Sequence, residues 1–226
     1  MSFIIANSRV QNFKISSRVE KKINEKIYYI YNKKELNIVN LEKIKPKLLF
    51  FVHWSSLIPE EIFNKYVCII FHMTDLPFGR GGSPLQNLIV RGFKKTKISA
   101  LKCVKEMDAG PIYLKEPLSL RGTAEEILLR AENIIGKMIF KIISDKSLKP
   151  KIQKGEITYF KRRSRNDGNI QKLQSLDEIY DFIRMLDAKG YPNSFIEIEN
   201  FRIEFSKASV KNNSIIAQVQ INKLEK

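Results

Sequence analysis

Four apolar runs in the first third of the chain predict the strands of a buried sheet. They occupy residues 2–7, 26–31, 47–54 and 66–72, and the third is the strongest because every position from Leu48 to Val52 is apolar. Continuous apolarity is typical of strands covered on both faces, as in a parallel sheet. The segment 58–64 follows the third run with Pro59 and two glutamates, which suit a first helical turn.

The middle of the chain alternates between predicted helices and strands. Residues 83–91 predict a helix opened by Pro84, and residues 96–104 and 111–118 predict two strands, the first with one solvent-facing side. A capping box begins at Thr123, and apolar positions recur behind it every three or four residues as far as Ile142. This spacing predicts a long amphipathic helix, so the overall pattern is α/β with an open mixed sheet.

A polar, lysine-rich connector at residues 144–154 marks a candidate boundary. We predict an N-terminal domain of residues 1–145 and a small C-terminal α+β subdomain of residues 146–226. In the latter, a capping box at Ser175 predicts a helix. Residues 195–205 and 214–219 alternate like strands of a small antiparallel sheet.

Composition narrows the class of protein. Hydrophobic content of 43% and charged content of 28% are typical of a globular chain. The start resembles no signal peptide, and no run approaches the roughly 20 apolar residues of a membrane span. Cys68 and Cys103 lie in apolar surroundings, which suits buried thiols in a reducing compartment. These features predict a soluble cytoplasmic protein with no membrane partner.

The net charge of +16 allows several interpretations. Lysine is spread along the whole chain, which favours a solvated basic surface over an anionic small ligand or a nucleic acid. A basic run at residues 161–165 could meet substrate phosphates, but a solvated face or a turn without phosphate contacts is the better explanation. Dispersed charge without an aromatic and basic stripe does not favour nucleic acid.

The stretch from residue 71 to residue 111 gathers the candidate chemistry. His72 ends an apolar strand, so its imidazole is expected at the carboxyl edge of the sheet, where ligands of open α/β sheets bind. Three glycines at positions 79, 81 and 82 would allow close approach of a ligand to the backbone. Asp108 begins an Asp-Ala-Gly-Pro turn. Each feature alone fits a core histidine or a plain turn, whereas together they indicate a site.

The order of these residues resembles the folate-dependent formyltransferase family. That family carries Asn-x-His, Leu-Pro, Arg-Gly, Pro and a later Asp-x-Gly, and this chain has His72, Leu76, Pro77, Arg80, Gly81, Pro84 and Asp108 in register. The resemblance covers about residues 48–205. The version HMTDLPFGRGGSP is most similar to bacterial sugar N-formyltransferases of the pseudaminic acid or nonulosonic acid type. It implies a Rossmann-like formyltransferase core, 10-formyltetrahydrofolate as co-substrate and no metal.

The resemblance also implies roles for individual residues. His72 and Asp108 would be catalytic: an amine attacks the formyl carbon, and the imidazole, oriented by the carboxylate, takes its proton or stabilises the oxyanion. The folate would be held by the loop after the third strand and by the Asp108 turn, at Ser55, Ser56, Leu57, Ile58, Pro59, Met107 and Gly110. The substrate would be bound by Thr74, Arg80, Gly81, Gly82, Ser83, Gln86 and Asn87, with Arg80 serving either an anionic group or its own loop.

One position departs from the family pattern. The family asparagine lies two residues before the histidine, and here that position is Ile70, which cannot donate a hydrogen bond to a formyl oxygen. The candidate replacement donors are the backbone N–H groups of residues 79–83 and the side chains of Thr74, Gln86 and Asn87. The sequence does not choose among them.

We expect the acceptor to be the amine of an amino sugar, nucleotide-linked, with no nucleic-acid partner, and the resemblance implies a homodimer. A methionyl-tRNA formyltransferase is the alternative that the positive charge would suit, but that enzyme would imply a further C-terminal barrel that this chain is too short to hold. A non-catalytic folate-binding or sugar-binding domain would explain Ile70. A zinc module would use His53, Cys68, His72 and Cys103, whose spacing matches no usual paired-ligand pattern.

Overall fold

The computed structural model of the chain describes residues 2–9 and 13–224. The strands in this part are β1 (Ser2–Asn7), β2 (Lys26–Ile30), β3 (Leu48–Val52), β4 (Cys68–His72), β5 (Arg80–Gly81), β6 (Lys95–Lys102), β7 (Ile112–Ser119), β8 (Tyr159–Phe160), β9 (Ser194–Ile198), β10 (Phe201–Lys211) and β11 (Ser214–Lys223). The α-helices are α1 (Ser17–Glu20), α2 (Ile38–Ile44), α3 (Glu60–Lys65), α4 (Pro84–Ile89), α5 (Ala124–Ser144) and α6 (Leu176–Leu186). Two 3-10 helices span Lys33–Glu35 and Arg165–Gly168.

The chain folds into two compact units. The first comprises residues 1–81, 96–118 and 129–159, and the second comprises residues 82–95, 119–128 and 160–226. Each unit therefore takes more than one segment of the chain. The division into domains of residues 1–145 and 146–226 stays a prediction.

The first unit is built on a six-stranded open sheet in the order β2-β1-β3-β4-β6-β7. β1 pairs in parallel with β2 and β3, and β3 pairs in parallel with β4, whereas β4 and β6 are antiparallel. Because β2 lies on one side of β1 and β3 on the other, the strand order reverses at the β1–β3 boundary, which is a topological switch point. The predicted α/β fold with an open mixed sheet is confirmed.

The apolar runs form the centre of this sheet because both of its faces are covered. Leu49, Phe50 and Val52 of β3 are completely buried, as are Ile4 and Ile5 of the neighbouring strand β1. Burial of such side chains stabilises the folded state by about 1.5–3 kcal/mol each relative to full exposure. The prediction that continuous apolarity marks buried parallel strands is confirmed.

Two cysteines face each other across β4 and the end of β6. The backbone N–H of Cys103 donates to the carbonyl oxygen of Cys68 at 2.8 Å, and both thiols are buried and free. Burial raises the pKa of the Cys68 thiol to about 12, and the nearby Cys103 adds to the shift. Burial, assisted by the negative charge of Asp108, raises the pKa of Cys103 to about 11. The expectation of buried free thiols is confirmed.

The second unit contains α4, α6 and an antiparallel sheet in the order β11-β10-β9. α6 begins where predicted, since the Ser175 hydroxyl accepts from the backbone N–H of Glu178 at 3.2 Å. The run predicted as one strand at residues 195–205 is two strands, β9 and β10, because the chain reverses at Glu199, whose φ is +50°. The small α+β appendage is thus confirmed in its elements.

The capping box at Thr123 correctly predicted the start of α5, whereas the sequence patterns gave no prediction of α2. The backbone N–H of Thr123 donates to Glu126 Oε2 at 2.8 Å, and the backbone N–H of Glu126 donates to the Thr123 hydroxyl at 3.3 Å. α2 lies between the second and third apolar runs, and only Leu41 of this helix is fully buried. Its signal was Asn37, whose side chain caps the helix at the backbone N–H of Asn40.

Among the helices of the described residues, none combines the length and the apolarity needed to cross a membrane.

Candidate functional site

His72 lies at the last position of β4, at the carboxyl edge of the sheet, with its side chain 8% exposed. Its Nε2 is 2.8 Å from the carbonyl oxygen of Gly79. A carbonyl oxygen only accepts, so Nε2 carries the proton in this hydrogen bond. Nδ1 faces Asp108 Oδ2 at 3.6 Å. Both ring nitrogens therefore face oxygen acceptors, and the structure brings the two predicted catalytic side chains together.

Asp108 is held in an uncommon backbone conformation. Its φ is +53°, in the left-handed region that non-glycine residues rarely adopt. Its Oδ2 accepts a hydrogen bond from the backbone N–H of Gly81 at 2.9 Å. The amide nitrogen of Gln153 donates to the carbonyl oxygens of Asp108 at 2.7 Å and of Gly110 at 2.8 Å. The carboxylate and the turn that carries it are thus fixed from two directions.

The glycine-rich loop after β4 is anchored through its backbone. The N–H groups of Gly79 and Arg80 donate to the hydroxyl and the carbonyl oxygen of Thr158, at 2.7 and 2.9 Å. Gly79 and Gly81 have φ values of +74° and +106°, which a side chain would disfavour. The loop therefore requires glycine at these positions to turn toward the Asp108 carboxylate.

Arg80 is buried, with 5% of its surface exposed, and its guanidinium is engaged within the first unit. Nη1 donates to Glu106 Oε1 at 3.0 Å, and Nε and Nη2 both donate to Gln153 Oε1, at 3.2 and 2.9 Å. The Tyr159 hydroxyl also donates to Glu106 Oε1. These contacts favour the loop-bracing role of Arg80 over an anion-binding role.

Thr74 and Ser99 hold the segment between His72 and the loop. Thr74 is completely buried, and its hydroxyl donates to the Gly79 carbonyl oxygen at 3.3 Å. The hydroxyl of Ser99 on β6 donates to the Thr74 carbonyl oxygen at 2.7 Å and accepts from the backbone N–H of Leu76 at 3.3 Å. Sequence reasoning missed Ser99, which had no charge or motif to distinguish it.

The other residues predicted to bind substrate belong to the second unit: Gly82, Ser83, Gln86 and Asn87. The Asn87 amide donates to three backbone carbonyl groups, including that of Lys161 at 2.9 Å. The Gln86 amide donates to the Met185 carbonyl oxygen at 3.4 Å. Their side chains are therefore engaged inside the second unit, and a role in substrate binding stays a prediction.

Among the Thr74 hydroxyl and the backbone N–H groups of residues 79–82, no spare donor stands in for the missing family asparagine. Ile70 is a half-buried residue of β4, paired with Phe51 on one side and Leu101 on the other. The Thr74 hydroxyl and the N–H groups of residues 79–82 all donate to acceptors within the protein. Ligand binding would have to replace one of these bonds to supply a donor.

The residues predicted to hold folate begin at the carboxyl edge of β3. Because β3 and β4 are parallel neighbours, this loop and His72 share one edge of the sheet. The Ser55 N–H donates to the Ser8 hydroxyl at 3.0 Å, and Leu57 is 83% exposed. Ser56 and Ile58 are half-buried, and Pro59 precedes α3. Of the two predicted residues in the Asp108 turn, Met107 is exposed and Gly110 is buried. Their folate contacts stay predictions.

A second histidine lies at the same edge, next to the switch point, and sequence reasoning gave it no role here. His53 follows β3 with a φ of +49°. Burial, with the positive charge of Arg9 as a second cause, lowers the pKa of His53 to about 4. Glu132 lies 3.7 Å from its Nε2 but already binds Arg9 at 2.8 Å, so the ring gains little from that carboxylate. His53 is therefore a neutral buried imidazole at neutral pH.

In the described part of the chain, no three histidine, cysteine or acidic side chains are grouped to hold a metal ion. The zinc alternative, which needed His53, Cys68, His72 and Cys103 together, gains no support.

Comparison with known proteins separates the two formyltransferase alternatives. Residues 165–222 match the family model for the C-terminal domain of methionyl-tRNA formyltransferase. The solved structure of methionyl-tRNA formyltransferase from Clostridium thermocellum is 48% identical, with 99% of each chain covered and a TM-score of 0.94. The methionyl-tRNA formyltransferase of Sulfurihydrogenibium sp. is 27% identical over 80% of this chain. The chain spans 60% of that relative's length.

The likeness to sugar enzymes is more distant. A sugar N-formyltransferase from Shewanella sp. covers the whole chain, but at 15% identity and a TM-score of 0.66 it shows the fold alone. The predicted amino-sugar acceptor of the pseudaminic acid type is therefore wrong, as is the expected absence of a nucleic-acid partner, because the relatives identified above are methionyl-tRNA formyltransferases. The predicted homodimer stays a prediction.

The length of the chain does not count against a methionyl-tRNA formyltransferase. We expected a methionyl-tRNA formyltransferase to need a further C-terminal barrel, yet residues 165–222 match the model of that C-terminal domain, and the Clostridium thermocellum chain is covered to 99%. The chain belongs to the formyltransferase family, and the relatives that establish this are methionyl-tRNA formyltransferases.

Proposed function

We propose that this protein transfers the formyl group of 10-formyltetrahydrofolate to the methionyl amine of methionyl-tRNA. One observation carries the choice of acceptor: the 48% identity, over 99% of both chains, to the methionyl-tRNA formyltransferase of Clostridium thermocellum. The formyl donor is the one used by the folate-dependent formyltransferases. Because the chain spans 60% and 58% of two curated relatives, the acceptor is proposed from the relatives and tested below.

The chemistry is a direct transfer. The amine nitrogen forms a bond to the formyl carbon, and the bond from that carbon to N10 of the folate breaks after a tetrahedral intermediate. The proton released by the amine ends on the departing N10. His72 is the group that moves or shares this proton, supported by its position at the sheet edge and by acceptors facing both ring nitrogens.

The Gly79 carbonyl oxygen has a specific part in this proposal. This oxygen lies 2.8 Å from Nε2 of His72 and accepts the hydrogen bond from it, so the formyl oxygen must compete with the carbonyl group for the Nε2 proton. Asp108, 3.6 Å from Nδ1, is placed to orient the imidazole and to stabilise positive charge that arises on it during the transfer. The pair thus provides for both proton transfer and charge stabilisation.

The net positive charge of the chain favours a polyanionic acceptor such as tRNA over an uncharged acceptor. A net charge of +16 attracts a polyanion over distances of about a Debye length, roughly 8 Å at physiological salt. Phosphate contacts need no sequence motif, so dispersed lysines are compatible with them. The dispersed positions of the lysines therefore do not exclude a tRNA partner.

The test is formylation of charged tRNA by the purified protein. Methionyl-tRNA and 10-formyltetrahydrofolate are incubated with the wild type, and formylmethionine is detected by mass after the ester is hydrolysed. Free methionine and uncharged tRNA are the acceptor controls, and His72→Ala is the enzyme control. We expect product from methionyl-tRNA with the wild type alone. Absence of formylmethionine at substrate saturation would refute the proposal.

A further inference from the structure

We infer that Gln153 is a positioning residue of the catalytic site, and that it fixes the Asp108 carboxylate by bridging the Arg80 guanidinium to the turn that carries Asp108. This inference rests on the proposed function, since it assigns a residue to the same His72–Asp108 site. Gln153 lies 45 residues after Asp108, in the polar connector of residues 144–154, and nothing in the sequence distinguished it from its neighbours.

The carboxamide of Gln153 uses both of its ends. Its nitrogen donates one hydrogen bond to the Asp108 carbonyl oxygen at 2.7 Å and one to the Gly110 carbonyl oxygen at 2.8 Å. Its oxygen accepts from Nη2 and Nε of Arg80, at 2.9 and 3.2 Å. An amide has two donor hydrogens and two acceptor sites, so these four bonds use its full capacity.

The orientation of this amide is set by its neighbours. Carbonyl groups can only accept and a guanidinium can only donate, so exchanging the amide oxygen and nitrogen would break all four hydrogen bonds. Neither glutamate nor an apolar residue could make all four of these hydrogen bonds, whereas glutamine can. Glutamate would keep the bond to Arg80 but would oppose the carbonyl oxygens of Asp108 and Gly110.

The turn needs such support because Asp108 adopts the left-handed conformation. A non-glycine residue in that region is strained and persists only where the surroundings hold it. The two donors of Gln153 hold the carbonyl groups of Asp108 itself and of Gly110, two residues later in the turn. The turn is also packed closely, since a Cβ at Gly110 would lie 1.7 Å from the Lys102 carbonyl oxygen.

The connector is itself fixed to the sheet close to Gln153. Ile112, at the start of β7, exchanges two backbone hydrogen bonds with Lys151, at 2.7 and 2.9 Å. This bridge fixes the backbone of Lys151, and Gln153 follows two residues later, directly beside the turn that carries Asp108. Arg80, next to Gly81, completes a closed path, because Gly81 binds the Asp108 carboxylate while Arg80 binds Gln153.

Two variants separate the contributions of the two ends of the amide. Gln153→Glu keeps an acceptor for Arg80 and removes the donors to the turn, whereas Gln153→Met removes both. We expect each to lower kcat for formyl transfer by about 10- to 100-fold, the range that a small displacement of a catalytic group produces. KM for either substrate should change less than about threefold. Lys154→Gln, at the exposed neighbouring position, should match the wild type.

A readout independent of activity keeps this inference separable from the proposed function. The Gly81 amide donates to the Asp108 carboxylate, so its hydrogen exchange measured by NMR reports whether that carboxylate stays in place. We expect both variants, like the reference variant Asp108→Ala, to accelerate exchange of Gly81 about tenfold or more, while exchange of the Arg80 amide, bound to Thr158, should be unchanged.

The outcomes are distinguishable. Unchanged Gly81 exchange in both variants overturns the positioning role, whatever the enzyme acts on. Accelerated Gly81 exchange with undiminished kcat also overturns it, because the carboxylate would then have moved without consequence. If the wild type formylates no methionyl-tRNA, the proposed function fails, and accelerated exchange at Gly81 alone would still support the bridge from Gln153 to Asp108.

Discussion

Gly81 donates its backbone N–H to the carboxylate of Asp108 at 2.9 Å, and this bond joins the glycine-rich loop to the turn opposite it. The same carboxylate oxygen lies 3.6 Å from Nδ1 of His72. One oxygen atom therefore links three separate segments of the chain. The arrangement predicts that the loop, the turn and the imidazole act as one unit.

His72 and Asp108 should show strong coupling in a double-mutant cycle. We expect His72→Ala and Asp108→Ala each to lower kcat by about 10²–10⁴, the usual contribution of a positioned acid–base group. The double variant should be no more than about tenfold slower than the slower single variant, because groups that act together are not additive. Glu156→Gln, at an exposed site, serves as the control. Fully additive losses would contradict the pairing.

Ile70→Asn should raise the rate and lower the stability. Asparagine at this position would supply the donor that the family pattern contains, and one oxyanion donor is worth about 10²–10³ in kcat elsewhere. We expect a gain of about tenfold here, together with a loss of about 1–3 kcal/mol in the free energy of unfolding because a polar group enters an apolar strand. Ile70→Val, which adds no donor, is the matched control. A slower Ile70→Asn enzyme would count against the oxyanion geometry.

Gly110→Ala should damage the Asp108 turn. The added methyl would lie 1.7 Å from the Lys102 carbonyl oxygen, so the backbone must move, and we expect a loss of about 3 kcal/mol in the free energy of unfolding. Gly136→Ala is the contrast, since its nearest neighbour is a methyl of Ile15 at 3.9 Å and α5 should gain about 0.5–1 kcal/mol. Urea unfolding measures both. Equal effects of the two substitutions would contradict the packing around Gly110.

His53 should make the protein less stable as the pH falls. Its folded pKa of about 4 lies below its unfolded value of 6.5, so the unfolded chain binds the proton first. Its contribution is fully present above pH 6.5 and is lost as the pH drops toward 4. Between pH 7.5 and 5 we expect a loss of about 2 kcal/mol. His53→Asn, which tolerates the left-handed backbone, should remove this part of the pH dependence in urea titrations. An identical pH dependence in both proteins would contradict the assignment.

Binding of methionyl-tRNA should depend steeply on salt. If several of the chain's cations meet phosphates, the logarithm of the association constant should fall linearly with the logarithm of salt concentration, with a slope of about −3 or steeper. Fluorescence anisotropy between about 50 and 300 mM KCl measures this slope. Folate binding in the same buffers is the control, because it should respond far less. A flat tRNA response would argue against an electrostatic interface.

Local patterns in the sequence were sufficient to predict most strands of the six-stranded sheet and the two capped helices α5 and α6. The apolar run of β3 and the capping residues Thr123 and Ser175 predicted elements that the structure contains, because burial and capping are set by residues close together in the chain. α2 escaped because only Leu41 is fully buried, too little to produce a clear period. The predicted amino-sugar acceptor was wrong because the methionyl-tRNA alternative was set aside on the length of the chain, although the positive charge suited that alternative.

The contacts around Asp108 depend on residues far apart in the chain. Motif order indicated that His72 and Asp108 would meet, and they do. Motif order could not indicate that Asp108 would bind Gly81 or that its turn would depend on Gln153. Such hydrogen bonds leave no periodic signal, since a neutral amide in a polar connector has the composition of an ordinary loop.

The opposed thiols of Cys68 and Cys103 offer a way to observe β4 opening. Thiolate is the reactive form, and pKa values of about 12 and 11 leave almost none of it at neutral pH. Alkylating reagents should therefore label these sulfurs only in molecules where β4 and the end of β6 have separated. Mass spectrometry of the labelled chain would then time the opening of the strand that carries His72, with no probe introduced by mutation.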